Sequence, residues 1–331
     1  MKILRNLKVP TGNILIVKGD RNKELELLSI GDYGKEQNIK ADFMGLTREI
    51  EGVSHGDLLP LEDKWVITIS SQYGCNSSCI FCDVPKVGKG LNATHNDLIN
   101  QVKAGISLHP EVEETKRLNL HYARMGEPTW NPNVLTATME LIERFKESGW
   151  GFHPVVSTMM PRNNKLLGLF LDDWMNIKNT HLNGEAGLQL SINTTDDKTR
   201  QDSMSNNTLT LKEISNIVKD YRPKGRKITL NFALTDAPID ENILKELFNP
   251  EYFICKITPM HMTHSCEDNG IITIDGYNKF HPYKDVEDRL KSVGFDVIVF
   301  IPSYEEDLGR ITCGNAILSG SLPEVEYEEL Q

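Results

Sequence analysis

The chain has 331 residues, 39% hydrophobic and 25% charged, with 36 basic against 47 acidic side chains and a formal net charge of −11 at pH 7. This composition suits one large α/β domain or two smaller ones. It offers no apolar run near the roughly 18 residues of a membrane span, and an acidic total weighs against a broad basic surface for nucleic-acid phosphates.

The N-terminal stretch carries no apolar segment followed by a small-residue cleavage site, so the expectation is a cytoplasmic protein with reduced thiols. Within residues 1–60, "GNILIVKG" and "KELELLSIGDYG" flank "DRNKE" and read as a hairpin in a small β-rich extension. From about residue 64, six β-rich runs follow: "KWVITISS", "LNLHYARM", "FHPVVSTMM", "GLQLSIN", "KITLNFALT" and "YFICKITPM". Helical patterns alternate with them, among them "ATHNDLINQVKAGISL", which opens on a Thr or Asn cap, and "NPNVLTATMELIERFKESG", which ends at Gly.

Six strand–helix units in order predict an α/β fold with a parallel sheet, a partial (β/α)6 TIM-like barrel over 61–260. A later helix and strand, "YNKFHPYKDVEDRLKSVG" and "FDVIVFIP", read as an addition within a C-terminal extension over 261–331. "RPKGRK", Arg222 to Lys227, reads as a solvated loop before a strand, with a phosphate site as the alternative, and the acidic tail "LPEVEYEELQ" is expected to fray.

The unusual residues fall after the strands, where folds of this kind carry their active sites. "CNSSCIFC" places Cys75, Cys79 and Cys82 at C-x3-C-x2-C spacing. Structural zinc prefers four ligands, usually as two pairs, and the nearest spare ligand is His95. A redox pair of Cys79 and Cys82 leaves Cys75 idle. Three thiolates suit a [4Fe–4S] cluster with one open iron. Glu127 and Pro128 in "GEP", Ser157 and Ser191 offer acceptors and hydroxyls at successive strand ends, although Glu127 also reads as a helix cap and the serines as turn residues.

The cysteine spacing, with Phe81 before the last Cys, resembles the signature of the radical S-adenosylmethionine enzymes. "LLPLEDKWVITISSQYGCNSSCIFC", "MGEP", "VVST", "LQLSIN" and "LKSVGFDVIVFIPSYEEDLGRITCGN" resemble segments of the RlmN/Cfr-type adenine methyltransferases over about residues 50 to 320.

The resemblance implies a radical SAM barrel with Cys75, Cys79 and Cys82 on the cluster. S-adenosyl-L-methionine would be bound by Phe81, Glu127, Pro128, Ser157, Ser191, Asn193 and His261, and Cys313 would carry the methyl group. In that family one S-adenosylmethionine methylates the cysteine, and a second yields the radical that activates the methyl for addition to an adenine carbon. A second cysteine then releases the adduct.

Here Thr68 stands at that resolving position, with Cys255 and Cys266 as candidate substitutes. His55 stands where the family has a Glu assigned as base, His261 where it has an Asn, and Arg124 where it usually has Gly. The implied partners are an electron donor such as flavodoxin or ferredoxin and a nucleotide, RNA or small-metabolite substrate. The charge and the roughly 60 residues ahead of the core weigh against ribosomal RNA. Radical chemistry without methyl transfer is the alternative activity, and an iron–sulfur sensing protein the non-enzyme alternative.

Overall fold

The computed structural model describes residues 1–48, 52–204, 206–272 and 276–330. The first three strands, β1 (Lys2–Val9), β2 (Gly12–Lys18) and β3 (Glu24–Ile30), form an antiparallel meander, so the expected hairpin has one more strand. A short β4 (Ile39–Lys40) follows. The six expected core strands are β5 (Trp65–Ile69), β6 (Leu118–Tyr122), β7 (Phe152–Thr158), β8 (Gly187–Ser191), β9 (Ile228–Leu234) and β10 (Phe253–Pro259). They pair in parallel in chain order. The late strand β11 (Val297–Phe300) continues the parallel series beside β10.

The N-terminal meander belongs to the same sheet, because β3 pairs antiparallel with β5. The acidic tail does not fray over its described residues, of which Gln331 is not one. Glu328–Leu330 forms β12 against β1, whose outer edge would otherwise expose unpaired backbone groups, and Glu329 pairs with Arg5 at 2.6 Å. Among the described residues this makes one twelve-stranded sheet, ordered β12-β1-β2-β3-β5-β6-β7-β8-β9-β10-β11-β4.

The helices start where local chemistry caps them. Thr94 and Asp97 form a reciprocal capping box on His95–Ile106, and Thr210 and Glu213 do the same for Leu211–Val218. Asn133–Ser148 ends at Gly149, whose φ of 77° is a left-handed cap. These helices cover one face of the parallel strands, where Ile67, Leu120, Val156, Leu188, Leu230, Cys255 and Val299 join the main core.

The other face alternates half-exposed positions: Thr68, His121, Ser157, Gln189, Asn231, Lys256 and Phe300. The sheet is curled around this face. In a flat sheet β5 and β10, five spacings apart, would be separated by about 24 Å, yet the charge of Lys64 at the foot of β5 reaches Lys256 on β10.

The edge strand β4 is tied to the helix Lys284–Ser292 by a fully buried pair, Lys40 Nζ to both carboxylate oxygens of Glu287 at 2.9 and 2.7 Å. Replacing Glu287 by Met leaves an ammonium buried alone and is expected to cost about 3–5 kcal/mol. The double variant with Lys40→Met recovers much of that loss. Urea unfolding of the three variants measures both effects.

Candidate active site

The three cysteines occupy the loop leaving β5, each half-buried and none in a disulfide. Backbone geometry holds the loop: Cys82 N donates to Cys79 O at 3.1 Å, and Cys75 N to Gly88 O at 3.1 Å. Burial raises all three thiols, with Cys79 pushed up to about 12. Each of Cys79 and Cys82 also feels its neighbours' charge, so the sulfurs share one region.

Among the described residues no three His, Cys, Asp or Glu side chains converge on a point that would hold a single ion. A four-iron cube asks for less convergence, since each thiolate takes its own iron. Three neighbouring thiols suit such a cluster and are one ligand short of a closed zinc site.

Asp83, directly after the last of them, anchors the loop. Its carboxylate accepts from Ser265 N at 2.9 Å, Ser265 Oγ at 2.7 Å and His264 N at 3.2 Å; against the effect of burial, the Ser265 bonds and Lys86, 3.3 Å away, hold it below the ordinary carboxylate range. Thr263 Oγ1 donates to Phe81 O at 2.9 Å. The segment after β10 is thereby clamped to the cysteine loop.

Cys313 lies against the same loop. Asp83 N donates to Gly314 O at 2.8 Å, and a Cβ on Gly314 would sit 3.4 Å from Phe81 O. The Cys313 side chain keeps solvent access, and its charge reaches Cys79 and Cys82. Burial raises its thiol, opposed first by Lys256 and then by Arg124.

The position of Cys313 depends on a buried pair that sequence reasoning missed. Arg124 Nε donates to Glu26 Oε1 at 2.8 Å, and its Nη2 donates to Arg310 O at 2.8 Å. Glu26 in turn accepts from Ile317 N and Leu318 N, both at 3.1 Å. The departure from Gly at residue 124 was the available signal, since an Arg buried beside a cluster loop requires an acid from elsewhere.

Gly126, at φ 93°, is required because a Cβ would meet Gln72 Cβ at 2.5 Å. Glu127 is buried and does cap the turn Pro128–Trp130: it accepts from Thr129 N at 3.1 Å, Thr129 Oγ1 at 2.7 Å and Met159 N at 2.9 Å. Among the described residues no cation pairs with this carboxylate, whose pKa burial raises, and its charge reaches Cys75 and Cys79.

Ser157 and Ser191 lie half-buried on the uncovered face. Asn193, at φ 62°, accepts from Ala233 N at 3.1 Å. Arg200, also missed, binds the carbonyls of Ser191, Met159 and Leu209 and fixes the ends of β7 and β8.

His261 Nδ1 lies 3.0 Å from Asp307 Oδ1, and Asp307 Oδ2 accepts from Tyr277 Oη. His55 Nε2 contacts Ile301 O at 3.1 Å, its ring edge-on to Tyr33, and burial lowers its pKa. Thr68 faces the uncovered side beside His121. Cys255 instead faces the helix-side core, so as a resolving thiol it would have to reverse its strand. Cys266 is buried behind the cysteine loop, 3.7 Å from Phe81 O.

No family model matches the chain. Curated relatives include a "Probable dual-specificity RNA methyltransferase RlmN" of Mycolicibacterium vanbaalenii, 27% identical over 215 residues that cover 61% of this chain and 55% of the relative. The "Dual-specificity RNA methyltransferase RlmN" of Bdellovibrio bacteriovorus is 26% identical over 187 residues, 56% of this chain and 43% of its own length. The chain is RlmN-like. It spans about half the length of the curated relatives it matches. The fold is shared with a solved radical SAM methyltransferase from Sphaerobacter thermophilus at a TM-score of 0.65 and 17% identity, covering 95% of this chain and 80% of that one.

Two outcomes follow from these contacts. Arg124→Met should raise hydrogen exchange at the Ile317 and Leu318 amides at least tenfold and cost about 3–5 kcal/mol in urea unfolding. Glu306, whose carboxyl burial raises to about 7, holds its proton to higher pH in the folded chain than in the unfolded one. Its contribution to stability is therefore full below about pH 4 and is lost as pH rises through about 7. Glu306→Gln should remove that part of the slope in urea unfolding followed between about pH 4 and 8.

Proposed function

We propose that this chain is a radical S-adenosylmethionine methyltransferase of the RlmN/Cfr type, acting on an adenine carbon in RNA. The observation that carries this reading is Cys313-Gly314 held against the three-cysteine loop by the Asp83–Gly314 bond. The RNA substrate rests on the relatives' names and outweighs the inference drawn from net charge, so ribosomal RNA stays within the proposal. The curled sheet supports a partial six-unit barrel over 61–260, with 1–60 and 261–331 as extensions around it. A cytoplasmic location suits a chain in which, among the described residues, no helix is long and apolar enough to cross a membrane.

Cys75, Cys79 and Cys82 would hold the [4Fe–4S] cluster, reduced by a flavodoxin or ferredoxin. Bound together, the cluster and S-adenosylmethionine would supply the one-electron chemistry. Glu127, held rigid by Thr129 and Met159 and paired with no cation among the described residues, would accept the cofactor's ammonium. Phe81, Pro128, Ser157, Ser191, Asn193 and His261 would complete its seat, His261 oriented by Asp307. Cys313 would carry the methyl, with Arg124 and Lys256 favouring its thiolate over the thiol. His55 would take the proton-accepting role, using the ring nitrogen not engaged by Ile301 O.

Thr68 favours a second reading, radical chemistry without methyl transfer: it faces the uncovered side where a resolving thiol would stand, and a hydroxyl forms no disulfide. Products separate the two. Methyl transfer yields S-adenosylhomocysteine together with 5′-deoxyadenosine, whereas the alternative yields the latter without the former.

Anaerobic reconstitution should load about four irons per chain, a load lost in Cys79→Ala. Mass spectrometry should then find one methyl on Cys313 after incubation with S-adenosylmethionine, and an unmodified Cys313 would defeat the methyltransferase reading. Glu127→Gln should keep its iron and bind S-adenosylmethionine more weakly by about 1.5–3 kcal/mol. Unchanged affinity would leave Glu127 only its capping role.

A further inference from the structure

Parallel strands are ordinarily buried on both faces. Here one face presents half-exposed polar side chains, and register joins them into rows. Thr68 lies beside His121, Ser157 beside Gln189, and Ser191 beside Asn231, which lies beside Lys256. Among the described residues the side chains of His121, Gln189, Asn231 and Lys256 make no hydrogen bond within the chain.

Lys256 stands out. It is the single half-exposed residue on β10, with Nζ 4.7 Å from the centroid of the Phe300 ring. Among the described residues it forms no ion pair. Burial, with repulsion from Arg226 and Lys64, lowers its pKa to about 8 against the attraction of Cys313 and Asp32. The acids within reach are engaged elsewhere: Asp32 binds Lys64 at 2.8 Å, and Glu185 lies 3.2 Å from His153. Arg226 belongs to the basic stretch read from sequence as a solvated loop, yet it is half-buried and its charge reaches this face. Lys35, Lys64, Arg117, Arg226 and Lys256 thus share a region whose acids Asp32 and Glu185 already have partners. An unpaired ammonium in such a setting is costly unless a ligand supplies the counter-charge.

We propose that this face seats the substrate nucleotide and that Lys256, backed by Arg226, receives its phosphate. The inference rests on the nucleic-acid reading of the function and adds to it an anchoring group and a place. The amides of Gln189 and Asn231 and the imidazole of His121, kept neutral by a pKa lowered to about 3, offer donors and acceptors to a base edge. Cys313, within electrostatic reach of Lys256, would face a nucleotide held there.

The test is acetic anhydride footprinting of the cluster-loaded protein at about pH 8, where a lysine of lowered pKa is strongly reactive, read at Lys256 by mass spectrometry. AMP should protect Lys256 several-fold and inorganic phosphate more weakly, while adenosine and S-adenosylmethionine alone leave it reactive. Absence of protection by AMP, equal protection by adenosine, or protection by S-adenosylmethionine alone would each overturn the assignment. In binding titrations the preference for AMP over adenosine, expected at roughly 10–100-fold, should survive Lys256→Arg and vanish in Lys256→Met. Cleavage of S-adenosylmethionine by the unsubstituted protein is followed in parallel. Its failure counts against the radical reading, whereas cleavage without AMP protection counts against the phosphate seat alone.

Discussion

The Glu26–Arg124 pair is the constraint on which the candidate site depends. Glu26 comes from the N-terminal meander, Arg124 from the loop after β6, and the backbone they hold, Arg310 O with Ile317 N and Leu318 N, brackets Cys313 on both sides. Three segments far apart in sequence are fixed by one carboxylate and one guanidinium. A buried ion pair is weak evidence for net stability, because desolvation offsets much of its attraction. Its value here is geometric: a bidentate acceptor and a forked donor define one arrangement of the loop, and a hydrophobic contact of the same size would tolerate several.

Asp83 performs the corresponding task on the other side. It lies immediately after the cysteine loop and binds the segment after β10 through its side chain and Gly314 through its backbone N–H. Apart from the neutral backbone bond between Asp83 N and Gly314 O, the two loops are thus held by charged side chains that satisfy backbone donors and acceptors. Such bonds are about twice as strong as neutral ones, and they suit irregular loops that have no ladder of their own.

The sheet divides the labour between its faces. The helix side is continuous hydrocarbon and includes Cys255, which supplies packing. The uncovered side holds the polar residues, and curling brings charges from distant strands within reach of one another. In a chain of net charge −11, this face is nonetheless locally cationic. Net charge by itself says little about this face, since the field at a site comes from the few groups around it.

The amino-acid sequence by itself determined the strands, their order and the cysteine loop. Alternating apolar runs, capping residues such as Thr94 and Thr210, and C-x3-C-x2-C spacing are local features, and local features survive into the fold. The pairing of β11 as a seventh parallel strand, the capture of the acidic tail by β1, and the joining of the meander to β5 were decided only by the tertiary structure, because strand edges pair with whatever edge the fold brings near. The partners of Glu26 and Arg124 and the surroundings of Lys256 were decided there too. A charge's meaning depends on its burial and its partners, and Glu26 lies 98 positions from Arg124, a separation no local pattern records.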